Sequence, residues 1–326
     1  MEAKGHHNFR FAKFRLGLKP LETLYLPSYP GSTFRGGLGN VFKKTLCVSR
    51  DRKCENCILK DQCAYSYCFE SPAGDKEKAR SSHWPHPYLL EPSAEGKTTY
   101  QKGEEINLNL MLIGKGMDFL PYFVFVFDEL GKSGIGKGRH KYQLEKVESM
   151  YDEGDYRPIY EEGYLSSDYK IITFEEILKE VSSHKDGRIT VKFLTPTRIL
   201  LNGHLIRKEM NFSTFMNRLV GRISLLSQCH CGETTFHFGD LLERAGMVKT
   251  TNVNLDWQEP ERYSSRQKAS MKMGGFVGQI TFEGDVREFV PIIKLGEYIH
   301  VGNLTSFGLG KYEIIDPGSA TLKMKG

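Results

Sequence analysis

Ser133-Gly-Ile-Gly-Lys137 and Phe307-Gly-Leu-Gly-Lys311 are one short device written twice. Each follows an apolar segment of helical length and precedes a strand-like stretch. Working outward from the first, Phe119–Leu130 is dense in apolar residues, and Ile106, Leu108, Leu110 and Leu112 alternate with polar neighbours as a half-buried strand does. Phe9–Leu18 reads as a strand at the start. Around the second, Ile189, Val191 and Phe193 alternate with Arg188, Thr190 and Lys192. Phe212, Phe215, Met216, Leu219, Val220, Ile223 and Leu226 fall at helical spacing, and Phe276–Phe282 is a strand. Asp285 can cap a short helix that Gly296 stops, and strands at Tyr298–Val301 and Lys311–Ile315 would flank the glycine-rich Gly302–Gly310 as a hairpin. A repeated strand–helix–glycine loop–strand order predicts duplicated αβ units in an α+β chain. The break at Ser182–Gly187 divides it into 1–184 and 185–326.

The 326 residues suffice for two such domains, and 39% hydrophobic with 26% charged residues describes a globular chain. No apolar run approaches the roughly 20 residues of a membrane span, and the start lacks the apolar core of a signal peptide. A cytoplasmic protein with reduced cysteines, and no membrane partner, is the expectation. The net charge is +5, and residues from Lys185 onward hold 19 basic and 14 acidic side chains, so the whole excess lies there. Within Gly187–Arg222, Arg188, Lys192, Arg198, Arg207, Lys208, Arg218 and Arg222 stand against Glu209 alone. Such a concentration suits a phosphate backbone, and equally a solvated surface.

Five of the seven cysteines fall between Cys47 and Cys68. In a reducing compartment a cluster this tight reads as metal-binding. Cys47, Cys54, Cys57 and Cys63 are the candidate ligands of a closed structural zinc site, with an iron–sulfur cluster as the alternative.

Ser32-Thr-Phe-Arg-Gly-Gly-Leu-Gly39, the cysteine cluster with Tyr65 and Phe69-Glu70, and Pro85-His-Pro-Tyr-Leu-Leu-Glu-Pro92 stand in that order. Gly131–Arg139, Leu194-Thr-Pro-Thr-Arg198, Arg262-Tyr-Ser-Ser-Arg-Gln267 and Gly274-Gly-Phe-Val-Gly278 follow, and His300–Tyr312 completes the series. In this order the segments resemble the CRISPR-associated RAMP-superfamily endoribonucleases that process repeat RNA. The resemblance implies tandem ferredoxin-like (RRM-like) domains, the first carrying a cysteine-rich insertion at about 47–68. It implies binding of CRISPR repeat RNA in precursor crRNA, with no catalytic metal: a 2′-hydroxyl attacks the adjacent phosphate, giving a cyclic phosphate and a 5′-hydroxyl. The RNA-binding candidates are Arg35, Lys137, Arg139, Arg188, Lys192, Arg198, Arg218, Arg222, Arg262, Arg266, Gly302, Gly308 and Gly310, since arginine and lysine supply charge and glycine lets backbone approach phosphate.

Relatives often carry a catalytic histidine on the first helix, but Phe34–Leu46 has none, and Asn303 stands where lysine is common. His300, beside the second glycine loop, is therefore the candidate general acid/base, with Lys311 across the expected hairpin and Tyr29 before the first helix as helpers. His140 holds the equivalent place at the first loop. The alternatives are a non-catalytic RAMP subunit that grips guide RNA among effector-complex subunits, and a metal-regulated nucleic-acid module.

Overall fold

The computed structural model describes residues 8–49, 51–70, 84–93, 96–181, 187–232, 238–264 and 269–315, with backbone alone for 261–264 and 269–272. Arg10–Ile172 with Leu225–Gly232 form one compact unit, and Thr173–Ser224 with the chain from 233 onward belongs to a second. The expected boundary at 184/185 lies outside the described residues. Among the described residues no helix is long and apolar enough to cross a membrane.

The first unit contains β1 (Arg10–Pro20), β2 (Leu24–Tyr25), α1 (Gly31–Leu46), α2 (Ala64–Phe69), β3 (Tyr88–Pro92), β4 (Ile106–Ile113), α3 (Leu120–Ser133) and β5 (Tyr142–Asp152). Its antiparallel sheet has the order β3-β4-β1-β5 and continues past β5 through Asp155–Glu161 and Tyr164–Leu165, with Leu16 opposite both Leu108 and Val147. The second contains β6 (Arg188–Thr197), α4 (Phe212–Leu226), β7 (Lys249–Gln258), β8 (Gly275–Glu283), α5 (Val290–Ile299) and β9 (Tyr312–Ile315). Its sheet runs β7-β8-β6-β9, with Val191 opposite both Ile280 and Ile314. Both are the ferredoxin-like order: the first strand lies between the third and fourth, and a helix precedes the second and fourth. The duplication expected from the glycine device is thus a duplication of whole folds.

The helices form where one stripe can be buried. Phe34, Leu38, Val41 and Phe42 put one face of α1 into the first core, and Lys43 and Lys44 suit the negative end of its dipole. In α3, Pro121 sits in the first turn, where a missing N–H costs nothing. Phe123, Val124, Phe127 and Leu130 then reach the sheet; each buried side chain contributes roughly 1.5–3 kcal/mol. Phe212, Phe215, Met216, Leu219 and Ile223 do the same for α4, with Phe215 edge-on to Phe193 of β6 at 6.0 Å.

One expectation fails at α5. Gly296 does not stop the helix, which runs on to Ile299, so Tyr298 and Ile299 are helical and the hairpin ahead of Lys311 does not exist. A Cβ at Gly296 would overlap the Tyr312 hydroxyl and crowd Leu219. That hydroxyl is buried and donates to Ile293 O at 2.7 Å, so it has nowhere to retreat. The glycine is there for close packing rather than termination.

Helix propensity alone would have Gly296→Ala stabilise by about 1 kcal/mol. The packing predicts the reverse, a loss of about 1–3 kcal/mol in denaturant unfolding, as for an overpacked core.

Candidate nucleic-acid interface

Both glycine loops join the second helix of a repeat to its fourth strand, but they are built differently. The second begins at His300, which caps α5 with φ +63° while its N–H donates to Gly296 O at 2.8 Å. The His300 ring is fully buried, and its Nδ1–H donates to Leu309 O at 3.0 Å. From there the loop is laced to the end of β6. Asn303 N–H donates to Arg198 O at 2.9 Å, and Gly310 N–H to Pro196 O at 3.2 Å. Thr195 donates its hydroxyl to Gly308 O and accepts from Lys311 N–H, both at 2.9 Å. Gly302, Gly308 and Gly310 all have positive φ, and a Cβ at Gly310 would overlap the Val301 carbonyl oxygen. These glycines meet the protein's own backbone. His300, as placed, holds the loop and offers no ring nitrogen to solvent. Lys311 is half-buried in the same unit, whereas Tyr29, half-exposed just before α1, belongs to the other unit.

The first loop ends in an open tip. Gly134, at φ +81°, closes α3 by donating to Leu130 O at 2.9 Å. A Cβ there would overlap the Arg139 carbonyl oxygen. Ile135 and His140 exchange both backbone hydrogen bonds, at 2.9 and 3.0 Å. The turn between them carries Lys137 and Arg139, both exposed, with Arg139 at φ +50°. His140, half-buried, meets the ring of Tyr25 edge-to-face at 5.4 Å, and Tyr25 itself is 56% exposed.

The basic run of the second half does not make one face. Ile189, Val191 and Phe193 point to the helices, so Arg188 and Lys192 lie on the open side of the sheet, where Glu283 and Glu313 pair with them at 3.5 and 3.4 Å. Arg218 is exposed on α4, on the other side of that sheet. Arg222 turns inward and donates from Nε to Ile299 O at 2.9 Å, leaving Nη2 buried without a hydrogen-bond partner among the described residues. Burial away from any carboxylate lowers its guanidinium to about 10. Arg198 donates to Gly274 O, and Arg207 stacks on Trp257 at 4.3 Å. In the first unit, Arg35 is half-buried and its guanidinium lies over the Phe69 ring at 5.2 Å. Arg262 lies in a strand whose side chains are outside the description, and Arg266 is outside the described residues.

The cysteine segment is held by aromatic packing. Tyr65 and Phe69 of α2 stack at 5.2 Å, and Phe42, Tyr88 and Phe123 extend the cluster at 5.1–5.5 Å. Ring pairs of this kind add about 0.5–1.5 kcal/mol each beyond burial. Cys68 is fully buried among them, while Cys47, Cys54, Cys57 and Cys63 are half-exposed free thiols. Burial pushes the Cys54 thiol up, and Glu70, Cys63 and Cys47 add to the rise. Among the described residues no group of three or more His, Cys, Asp or Glu closes on a point that could hold a metal ion. Cys47 and Cys63 lie near enough to Cys54 to act on its charge, and the Tyr65 and Phe69 rings tie the segment into the first core.

The sequence reading missed Tyr25, which no motif marks and which the structure places in the short strand β2. It also missed His230, which a π-turn at the end of α4 buries in the first unit. Its Nε2–H donates to Pro85 O at 2.8 Å and its Nδ1 lies 2.8 Å from the Tyr67 hydroxyl.

With this geometry in place, comparison with known proteins is informative. Residues 9–171 match a family model described as an N-terminal domain, and residues 191–312 match that of the CRISPR-associated endoribonuclease Cas6. An uncharacterized protein of Archaeoglobus fulgidus is 22% identical over 298 residues, covering 89% of this chain and 93% of that one. Among solved structures, a Cas6 product complex superposes with TM-score 0.57 at 17% identity, covering 94% of this chain and 99% of that one. A Thermus thermophilus Cas6 gives 0.53 at 17% identity, again covering 94% and 99%. A subunit of a partial Cas6-RT-Cas1–Cas2 complex gives 0.60 at 12% identity and 94% coverage, and this chain spans 46% of its length. These likenesses bear on the fold.

If His300 only anchors its loop, His300→Ala removes a buried ring and its hydrogen bond. The variant should then lose about 2–4 kcal/mol of stability, read by denaturant unfolding. Unchanged stability would return the residue to the list of chemical groups.

Proposed function

We propose that the chain is a Cas6/RAMP-type CRISPR-associated protein that binds CRISPR repeat RNA in precursor crRNA and cuts it without a catalytic metal. The observation that carries this reading is the match of residues 191–312 to the Cas6 endoribonuclease, over a fold whose two copies each carry a glycine loop ahead of the last strand. Cleavage of this type needs little from the protein beyond placement. The 2′-oxygen bonds to phosphorus, the P–O5′ bond breaks, one group takes the 2′-hydroxyl proton and another protonates the leaving 5′-oxygen. Cations offset the charge that gathers on the phosphoryl oxygens. In the first unit Lys137 and Arg139 at the open tip are suited to the backbone, with Tyr29 a further candidate; in the second, Arg218 is an exposed cation on α4 and Lys311 a further candidate.

A second reading has its own support. α1 carries no histidine and the His300 ring is buried, as expected of a RAMP subunit that binds guide RNA in an effector complex and leaves cutting to another protein.

One assay separates the two. End-labelled repeat RNA incubated with the protein in EDTA should yield a product ending in a cyclic phosphate and another starting with a 5′-hydroxyl. Binding should weaken with salt by about 0.7 in log–log slope per single-strand phosphate neutralised. A gel shift with intact RNA would favour the non-catalytic subunit, and cleavage only with added metal would contradict the mechanism.

A further inference from the structure

We propose that His140, on the first glycine loop, takes the proton from the attacking 2′-hydroxyl, with Tyr25 as the residue that positions its ring. The assignment rests on the endoribonuclease reading above and deepens it. The described histidines sort themselves by surroundings. His300 is buried and bonded to Leu309 O. His230 is buried with both ring nitrogens engaged. His86 lies half-buried against Tyr88 at 5.6 Å. His204 is exposed in a short hairpin at Leu200–Leu205. His140 alone among them combines a partly exposed ring, a fixed backbone and exposed cations within its own turn.

Three features hold that ring where a strand of RNA could reach it. The paired hydrogen bonds with Ile135 fix the His140 backbone. The edge-to-face contact with Tyr25 fixes the ring plane, at 70° between planes. Gly138 supplies the space, since a Cβ on it would overlap Nε2 of His140. A glycine that makes room for one imidazole, in a turn flanked by Lys137 and Arg139, is more than reversal of the chain requires. The pairing suits a phosphodiester: the cations hold the nonbridging oxygens while the imidazole meets the adjacent 2′-hydroxyl.

In the step itself, the imidazole of His140 takes the 2′-hydroxyl proton as the 2′-oxygen bonds to phosphorus. The P–O5′ bond breaks, its electron pair stays on the 5′-oxygen, and that oxygen takes a proton from solvent water. The imidazolium returns its proton to solvent, so the enzyme is unchanged. Histidine suits this exchange because its protonation changes near neutral pH, and such a group contributes about 10²–10⁴-fold to rate.

The test is single-turnover cleavage of repeat RNA in EDTA, with affinity and melting temperature measured in parallel. His140→Gln should slow cleavage by at least about 100-fold while affinity stays within a few-fold and melting is unchanged. Free imidazole should restore part of the rate to His140→Ala. Tyr25→Ala should slow cutting, and Tyr25→Phe should recover most of the loss. A His140→Gln variant that cuts at the wild-type rate overturns the assignment alone. So does a slow His140→Ala variant that melts early and does not respond to imidazole, which would make the residue a support of the loop. A wild-type chain that binds repeat RNA and never cuts it overturns the endoribonuclease reading and the assignment with it.

Discussion

Both halves of the molecule depend on one arrangement of strand pairing. The first strand of each repeat is flanked by the third and fourth, so the chain leaving the second helix must reverse and land on the free edge of the first. Little chain is available for the reversal, and it is made with residues at positive φ: Gly134, Gly136 and Arg139 in one copy, and His300, Gly302, Leu304, Gly308 and Gly310 in the other. Left-handed backbone costs most residues about 1–2 kcal/mol, which is why glycine recurs at matching places. The same constraint then yields two different surfaces. One loop is spent on backbone contacts with Thr195–Arg198, and the other closes early through the Ile135–His140 pair and leaves its tip in solvent.

Charge follows from the same geometry. A strand alternates its side chains between faces and a helix distributes them around its axis, so a basic run in sequence is divided by the sheet in space. Arg188 and Lys192 end on one side with acidic partners, Arg218 on the other, and Arg222 inside. Lys137 and Arg139, exposed at the tip of the first glycine loop, come instead from the first half of the chain, whose overall charge is balanced.

The strands and helices were legible where periodicity was strong. Phe212–Leu226 is a helix over the residues its spacing marked, and the alternation in Arg188–Phe193 sorted the sheet's faces correctly. The helix stop expected at Gly296 failed because one residue type serves two physical ends. Gly296 signals helix termination by statistics but answers to the Tyr312 hydroxyl, a partner distant in sequence. His300 sat beside a loop of the right composition, yet its burial is a tertiary fact no local pattern carries. The cysteine spacing marks candidate metal ligands, and Tyr65 and Phe69, four residues apart on one short helix, are the residues that tie the segment to the core.

Amide hydrogen exchange with and without repeat RNA tests the central claim, that the first glycine loop is where protein chemistry meets the RNA. The account predicts that Val301–Gly310 exchanges slowly even without RNA, while Lys137–His140 exchanges fast in the free protein and becomes protected at saturating RNA. Unchanged exchange at Lys137–His140 when the RNA is bound would contradict it.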